Sequence, residues 1–256
     1  MVENLIKPFS DPSVGAATGY VVSQKGTSLM AARQIEYLIS LGIHKNGQSI
    51  LDGIFVIAGC NAAYRREVIE KVSLDGDTLT EDLDLTWKIV KSGYKVVYVP
   101  NAIVKTQDPP DLKSLWKQLR RWYTGIAQCL KKHKDIFGKT RLGKITLPLI
   151  IFDAMLTTII YFIVLSIAFI DFIAFNSLTG FSWLIGFYLL DLLFGSVSAF
   201  YGLYKLKRRD LLKALPSYLL LITVGRIAWL YSFIKEFLFP TKNKKWEKIK
   251  RVEFGG

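Results

Sequence analysis

Three carboxylates lie within four positions at the start of a predicted helix, namely Glu81, Asp82 and Asp84. Clustered carboxylates raise one another's pKa, and one that lies in a cleft could take a proton from a hydroxyl group. Acidic residues at a helix start also complement the helix dipole, with Thr78 or Thr80 as the N-cap. The local pattern is therefore compatible with a general base and with an ordinary capped helix.

A second polar cluster lies further along the chain and consists of Gln118, Arg120, Arg121 and Trp122. The arginine side chain offers a fork of N–H donors that suits a diphosphate, and an indole face suits the apolar face of a sugar ring. The same residue types suit a membrane surface, where tryptophan anchors a helix and arginines bind lipid headgroups. Taken alone, this cluster favours the membrane surface.

The elements that must position these clusters begin with a predicted α/β fold, because short β-like runs alternate with helical patterns before residue 110. Strands are expected at residues 14–22, 54–58 and 94–99, the last one stopped by Pro100, and helices at residues 28–42, 65–72 and 80–92. Open sheets of binding domains usually have more than three strands, so the sheet is expected to be partial. The sequence Asp108-Pro109-Pro110 marks the clearest break.

A basic amphipathic helix is expected from Asp111 to about Lys134. Its apolar stripe consists of Leu112, Leu115, Trp116, Leu119, Trp122, Tyr123, Ile126 and Leu130. Residues 113–144 carry 10 Lys and Arg against 1 Asp and Glu, which predicts attraction to anionic membrane lipid rather than to nucleic acid. Such a helix is typical of a membrane interface.

Two apolar windows, residues 147–170 and 181–204, are long enough to cross a bilayer, and each carries one charge, Asp153 or Asp191. Basic residues flank them on one side only, which predicts a multi-pass membrane protein whose N-terminal part is cytoplasmic. Residues 214–239 could cross once or form a re-entrant hairpin around Arg226, and only the hairpin would keep the basic tail inside. Charges in such segments are expected to face a polar channel or one another.

Four segments, taken in order, change the interpretation of the two polar clusters. They are residues 59–66 (GCNAAYRR), 80–82 (TED), 98–102 (YVPNA) and 118–122 (QLRRW). They resemble the family-2 processive glycosyltransferases, the membrane synthases of cellulose, hyaluronan, chitin and poly-N-acetylglucosamine type, by a Thr-Glu-Asp motif and a Gln-x-x-Arg-Trp motif. The resemblance covers about residues 5–145. It implies a partial GT-A-like α/β domain in residues 1–110, a basic interfacial helix in residues 111–145 and a transmembrane region of two to three helices in residues 146–256.

The resemblance also implies an inverting transfer of a sugar from a nucleotide-sugar donor to a glycan acceptor. Asp82 would be the general base that deprotonates the acceptor hydroxyl, and Glu81 and Thr80 would orient it. The spans would form a channel through which the polymer leaves the cell.

The same resemblance implies a set of substrate-binding residues on two segments. These residues are Gly59, Cys60, Asn61, Gln118, Arg120, Arg121 and Trp122. Gln118 and Arg121 would face the diphosphate, and Trp122 would lie under the acceptor sugar. The segment 59–61 would line the acceptor side of the cleft.

Enzymes of this family hold a divalent metal, Mg or Mn, in an Asp-x-Asp motif of a preceding nucleotide-binding half. No such motif is recognised here, because Asp82-Leu83-Asp84 overlaps the Thr-Glu-Asp motif and the glycine of Asp75-Gly76-Asp77 indicates a turn. We therefore expect no metal ligand in these residues and a nucleotide-binding half that comes from a separate polypeptide. The alternative is a noncatalytic membrane anchor or subunit, or a truncated remnant of such an enzyme.

Overall fold

The fold combines a small sheet, surrounding helices and three long apolar helices, as seen in a computed structural model that describes residues 1–24 and 26–241. The strands are β1 (Val14–Ser23), β2 (Ala62–Tyr64) and β3 (Lys95–Thr106). The helices are α1 (Val2–Ile6), α2 (Ser28–Ile39), α3 (Lys45–Ile50), α4 (Arg66–Lys71), α5 (Glu81–Lys91), α6 (Leu112–Lys132), α7 (Leu147–Phe175), α8 (Thr179–Lys205) and α9 (Leu215–Leu238). Short 3-10 helices occur at Lys7–Ser10, Lys134–Ile136 and Arg209–Ala214, and π-helical turns at Ser40–His44 and Leu142–Thr146.

The sheet has the order β2-β1-β3, with β2 antiparallel and β3 parallel to the central strand β1. Residues of β1 are buried along most of its length, as expected for an apolar strand with helices on both faces. The predicted class, an α/β fold followed by a helical membrane region, is therefore confirmed.

The second strand was predicted in the wrong place. Residues 54–58 form no strand, although Ile54 and Ile57 are almost fully buried. The backbone N–H groups of Ile57 and Ala58 donate instead to the hydroxyls of Thr86 and Thr18, each at 3.0 Å. Side chains thus replace the neighbouring strand as hydrogen-bond partners, and the apolar run reports burial rather than sheet pairing.

The third strand was predicted to stop at Pro100, but it continues to Thr106. Val99 pairs with Gly19 and Ile103 pairs with Tyr20, so residues 100–102 bulge out of the ladder. A proline fits there because the bulge lies on an edge strand and leaves its missing N–H without consequence.

Helix α6 begins at the predicted break, where the Asp111 carboxylate accepts a hydrogen bond from the N–H of Ser114 at 2.8 Å. One face of α6 packs along α9: the Lys131 ammonium donates to the Glu236 carbonyl at 2.6 Å, and the rings of Trp116 and Tyr231 are 5.7 Å apart. A single buried cluster joins α2, α6, α8 and α9. The expected interfacial helix is therefore packed against helices of the apolar region.

Three helical stretches are long and apolar enough to cross a membrane, namely Leu142–Phe175, Thr179–Lys205 and Arg209–Leu238. The first two contain the predicted windows. The third continues as an unbroken helix through Arg226, so it lacks the break that a re-entrant hairpin requires. The basic tail, residues 242–251, lies outside the described residues.

Two charged residues within these stretches, Asp191 and Arg226, form a cross-helix pair. A guanidinium nitrogen of Arg226 lies 3.1 Å from the Asp191 carboxylate, which also accepts a hydrogen bond from Tyr161 at 3.4 Å. One helical turn away, the hydroxyls of Tyr188 and Thr223 are 2.7 Å apart. These groups border a cavity of about 1130 Å³ between the helices, whose lining also includes Asp153. Asp191 and Arg226 therefore face one another, which is one of the two expected arrangements, whereas Asp153 lines a mostly apolar part of the structure.

Candidate active site

The Thr-Glu-Asp segment lies where α5 begins, with Thr80 at the N-cap position. The Thr80 side chain makes no capping hydrogen bond; its hydroxyl lies 3.9 Å from the Cys129 sulfur of α6. Thr78 does not cap the helix either, since its hydroxyl donates to the Thr80 carbonyl at 3.2 Å. Thr80 therefore occupies the predicted N-cap position, but neither threonine makes the expected side-chain capping hydrogen bond. The buried Thr80 side chain instead ties the start of α5 to α6.

Asp82 is half-buried in the first turn of α5, next to the exposed Glu81. Its carboxylate accepts hydrogen bonds from two backbone N–H groups, Leu83 at 2.9 Å and Gly59 at 3.3 Å. Burial and, to a smaller extent, the charge of Glu81 raise the pKa of Asp82 above its usual value, although these hydrogen bonds and Arg121 oppose the shift. A carboxylate with a raised pKa and a partly exposed position can accept a proton from a bound hydroxyl.

Helix α6 holds the segment that leads into α5 at several points. The Arg121 guanidinium donates to the Leu79 carbonyl at 3.1 Å, and the Gln128 side chain accepts from the Leu79 N–H at 2.9 Å. Gly125 faces Thr80 so closely that a Cβ at this position would collide with the threonine side chain. The structure thus brings the Thr-Glu-Asp segment and the Gln-x-x-Arg-Trp helix together.

The other residues of the Gln-x-x-Arg-Trp segment have different surroundings. The Gln118 side-chain oxygen is buried and has no hydrogen-bond partner within residues 1–24 and 26–241. The Arg120 carbonyl accepts a hydrogen bond from Ser232 of α9 at 3.4 Å, which joins this segment to the membrane region.

Trp122 is positioned by a buried cation that the sequence did not single out. The Arg33 guanidinium of α2 is fully buried and lies 4.9 Å from the centre of the Trp122 ring. It pairs with Glu36, lies 3.5 Å from the Asp108 carboxylate and donates to the Tyr37 hydroxyl at 3.2 Å. A buried arginine needs such partners, and they can be recognised only once the fold brings them together.

The loop 59–61 has two exposed residues and one buried residue. Gly59 and Cys60 are exposed beside Asp82, as a cleft wall requires. Asn61 is buried, and its side-chain amide donates to the carbonyls of Tyr20 at 3.0 Å and Ala102 at 2.8 Å. Asn61 therefore anchors the loop across the bulge of β3, whereas Gly59 and Cys60 are exposed and could contact a ligand.

A second acidic group lies on the other side of the same segment. Carboxylate oxygens of Asp75, Asp77 and Asp84 lie within 4.8 Å of one another and could hold a metal ion. The sequence pattern predicted no metal ligand in these residues and did not predict this cluster. Gly76 has a left-handed backbone with a φ of 61°, but residues 73–77 are irregular and do not form the predicted turn.

Ammonium groups already fill the space between these carboxylates. Lys132 Nζ lies 3.1 Å from Asp75, 2.7 Å from Asp77 and 3.0 Å from Asp84. Asp84 also accepts a hydrogen bond from His133 at 2.7 Å. Burial opposes ionisation of Asp84, but hydrogen bonds from His133, Lys132 and Lys88 outweigh it and lower its pKa to about 2. The described residues therefore fit a lysine here better than a metal ion.

A model of glycosyl transferase family group 2 matches residues 1–241. The chain belongs to this family. Its membership confirms the resemblance drawn from the four segments. The roles of single residues stay predictions.

Curated relatives of this family include poly-beta-1,6-N-acetyl-D-glucosamine synthases. The protein of Staphylococcus aureus (strain COL) is 29% identical over 167 residues, which are 64% of this chain and 39% of that protein. The protein of Staphylococcus epidermidis is 28% identical over 173 residues, or 66% of this chain and 41% of that protein. The chain thus spans about two fifths of the length of these relatives.

A solved structure supports the fold. The mannosyltransferase PcManGT from Pyrobaculum calidifontis, in complex with GDP-Man and Mn2+, superimposes with a TM-score of 0.52 at 18% identity. The match covers 92% of this chain and 57% of that protein. At this identity, the likeness shows the GT-A-like fold alone.

Proposed function

We propose that the protein is a membrane-bound inverting glycosyltransferase that extends a glycan from a nucleotide-sugar donor, with Asp82 as its general base. The observation that carries this proposal is the contact between the Thr-Glu-Asp segment and the Gln-x-x-Arg-Trp helix, made through Leu79, Thr80 and Arg121. Family membership supports the reaction class. The names of the curated relatives support an N-acetylglucosamine donor as the first one to test.

In the proposed reaction, the Asp82 carboxylate takes the proton of an acceptor hydroxyl while the hydroxyl oxygen attacks the anomeric carbon of the donor. The bond between that carbon and the diphosphate oxygen breaks, and the diphosphate leaves with the electron pair. Arg121 and Gln118 would face the diphosphate, with Arg120 beside them, and Trp122 would support the acceptor sugar. The raised pKa of Asp82 suits a base that must gain a proton during transfer.

A divalent metal bound with the donor would neutralise the leaving diphosphate, and the Mn2+ in the mannosyltransferase structure supports a metal in this fold. Asp75, Asp77 and Asp84 do not fit this role, because Lys132 and Lys88 neutralise them. No step is therefore assigned to a metal held by these residues.

We further propose that strands outside the described residues complete the sheet and bind the nucleotide, whether in the same polypeptide or in a separate one. Among residues 1–24 and 26–241, β3 has a pairing partner on one side only, and an open strand edge is a template for another strand. The basic residues beside the first span favour a cytoplasmic position of this site and binding of anionic lipid.

The test measures transfer of labelled N-acetylglucosamine from its UDP donor to glycan in membranes that contain the protein. Wild type is compared with Asp82→Asn and with Glu70→Gln, a matched change of an exposed carboxylate outside the site. We expect Asp82→Asn to lower transfer by roughly 10² to 10⁴, since a general base contributes about that factor, while Glu70→Gln keeps full activity. Full synthesis by Asp82→Asn would remove Asp82 from the reaction. A wild type inactive with every sugar nucleotide would favour the noncatalytic membrane anchor.

A further inference from the structure

Lys45 is a buried cation that no part of the fold explains. It is the first residue of α3, directly after the π-helical turn, and is 3% exposed. Its ammonium nitrogen is buried and has no hydrogen-bond partner among the described residues. An ammonium group loses its hydration on burial, which destabilises the folded state unless partners replace the water. A methionine would fill the same space without that cost, so packing does not explain the charge.

Helix α3, which carries Lys45, packs on the segment that leads into the loop 59–61. The Gln48 side chain of α3 accepts a hydrogen bond from the Phe55 N–H at 3.0 Å, which holds the helix against residues 53–58. This segment continues directly into Gly59, whose N–H donates to Asp82. One short piece of chain therefore connects the surroundings of Lys45 with the proposed base.

The ionisable groups that act on Lys45 come from two neighbouring elements. Burial lowers the pKa of Lys45 to about 8, and the charges of Asp82 on α5 and of Cys60 in the loop oppose this shift. Asp82 itself is hydrogen-bonded to the backbone N–H groups of Leu83 and Gly59 rather than to the ammonium. The ammonium of Lys45 therefore feels the charge of the proposed base without being hydrogen-bonded to it, and its donors remain available to a different partner.

We propose that Lys45 is an acceptor-binding residue whose ammonium donates hydrogen bonds to an oxygen of the sugar that Asp82 deprotonates. This inference rests on the proposed function and adds a contact to the acceptor side of the same site. The four-carbon stem lets the ammonium swing toward the cleft when a hydroxyl or an N-acetyl carbonyl oxygen arrives. The folding cost of the unpartnered charge is then offset when the acceptor binds, as is common at functional sites.

The experiment compares Lys45→Met, Lys45→Arg and Lys113→Met, the last removing an exposed lysine of α6. Thermal unfolding in detergent and the KM values for donor and for an N-acetylglucosamine tetrasaccharide acceptor are measured for each. We expect Lys45→Met to raise the acceptor KM about tenfold or more, with an unchanged donor KM, because a hydrogen bond to a charged group is lost. Its unfolding temperature should stay equal to that of wild type or rise. Lys45→Arg should keep most of the acceptor affinity, and Lys113→Met should behave as wild type.

The pH dependence gives a second readout. Acceptor affinity of the wild type should fall above about pH 8, where Lys45 loses its proton, whereas Lys45→Arg should keep its affinity there because arginine stays charged. Identical alkaline profiles of the two proteins would contradict a charged contact by Lys45.

Two results overturn the inference while leaving the proposed function intact. One is a wild-type acceptor KM in an active Lys45→Met protein. The other is a lower unfolding temperature with donor and acceptor KM raised in parallel, which indicates a structural role. If wild type transfers no sugar, the proposed function fails. Direct binding of the tetrasaccharide then tests the Lys45 contact by itself. The contact is overturned as well if wild type does not bind the tetrasaccharide, or if wild type and Lys45→Met bind it equally.

Discussion

Asp82 and Asp84 are two positions apart on α5 and lie in opposite environments. Asp82 is half-buried, faces the loop 59–61 and has a raised pKa. Asp84 is 5% exposed, faces Lys132 and His133 and has a pKa of about 2. One helix start thus presents a carboxylate that can accept a proton on one side and a carboxylate that holds the fold together on the other.

The difference shows why the local pattern could not separate catalysis from stability. Clustered carboxylates at a helix start include both kinds, and two of the groups that distinguish them, Lys132 and His133, come from the end of α6 and the residue that follows it. If the two carboxylates have these different roles, an Asp→Asn change should lower activity at residue 82 and stability at residue 84.

The largest effect is expected for Asp82→Asn, which should lower glycan synthesis by roughly 10² to 10⁴ because it removes the general base. Its stability should not fall, since a raised pKa means that the ionised carboxylate disfavours the folded state. Transfer assays and thermal unfolding in detergent check both parts. A marked drop in the unfolding temperature would show that Asp82 stabilises the fold as Asp84 does, and would contradict the proposed difference between the two carboxylates.

Asp84→Asn should have the opposite profile. The change leaves Lys132 and the buried His133 without their shared carboxylate, and loss of one partner of a buried pair costs about 3 kcal/mol. The free energy of unfolding measures the loss. Asp77→Asn is the matched control, because Asp77 contacts the same Lys132 from a more exposed position and should cost much less. Equal losses in the two variants would contradict the special position of Asp84.

Gly125→Ala tests the contact that joins the two motifs. The added methyl would collide with Thr80, so α6 must shift, at a cost of about 1 to 3 kcal/mol for overpacking. Transfer should fall as well, since Thr80 directly precedes Glu81 and Asp82. Gly138 is unsuitable as a control, because its φ of 73° would strain an alanine. Gly47 is suitable, because a Cβ at this position meets no atom within 4 Å, and Gly47→Ala should leave transfer unchanged. Wild-type stability and transfer in Gly125→Ala would show that the helices have room to separate.

Acid should produce the smallest of these effects. The folded-state pKa of Asp84 is about 2, below its usual 3.8, so the stabilisation from the ionised carboxylate is present above pH 3.8 and is lost as the pH falls toward 2. The stability difference between wild type and Asp84→Asn should therefore shrink across this window. Asp82 has a raised pKa and should show the opposite sign, with wild type gaining stability relative to Asp82→Asn as the pH falls from neutrality through the folded-state pKa toward 3.8. Unfolding midpoints measured from neutral pH down to about pH 2 cover both windows and give both slopes.

Periodicity and composition predicted the parts of the fold whose residues are decided locally. β1 begins at Val14 as expected, α6 follows Asp111, and the two predicted apolar windows lie within α7 and α8. The local sequence pattern predicted the wrong backbone structure where a residue distant in sequence supplies the hydrogen bonds. Thr86 and Thr18 bind the backbone of residues 57–58 in place of a strand, and Asn61 bridges the bulge after Pro100.

In the candidate site, too, the local sequence predicted some residues, and the others can be recognised only in the fold. Its two motifs were recognised from their residues, and the structure brings Arg121 against the segment before Asp82. Arg33, Lys45 and the lysines around Asp84 were missed, because a charged residue in a helical pattern gives no sign of burial. Lys45 follows a π-helical turn that the sequence pattern does not predict, so the burial of its side chain depends on the tertiary fold.

The ion pair between Asp191 and Arg226 has a consequence for how the protein enters the bilayer. Released singly, α8 and α9 would each carry one uncompensated charge among lipid chains, which insertion scales put at about 2.5 to 3.5 kcal/mol at the bilayer centre. Released together as a helical hairpin, the two segments carry no net charge at that depth, and the bond between Tyr188 and Thr223 joins them one turn away. We therefore expect these two candidate spans to insert during biogenesis as one unit rather than two.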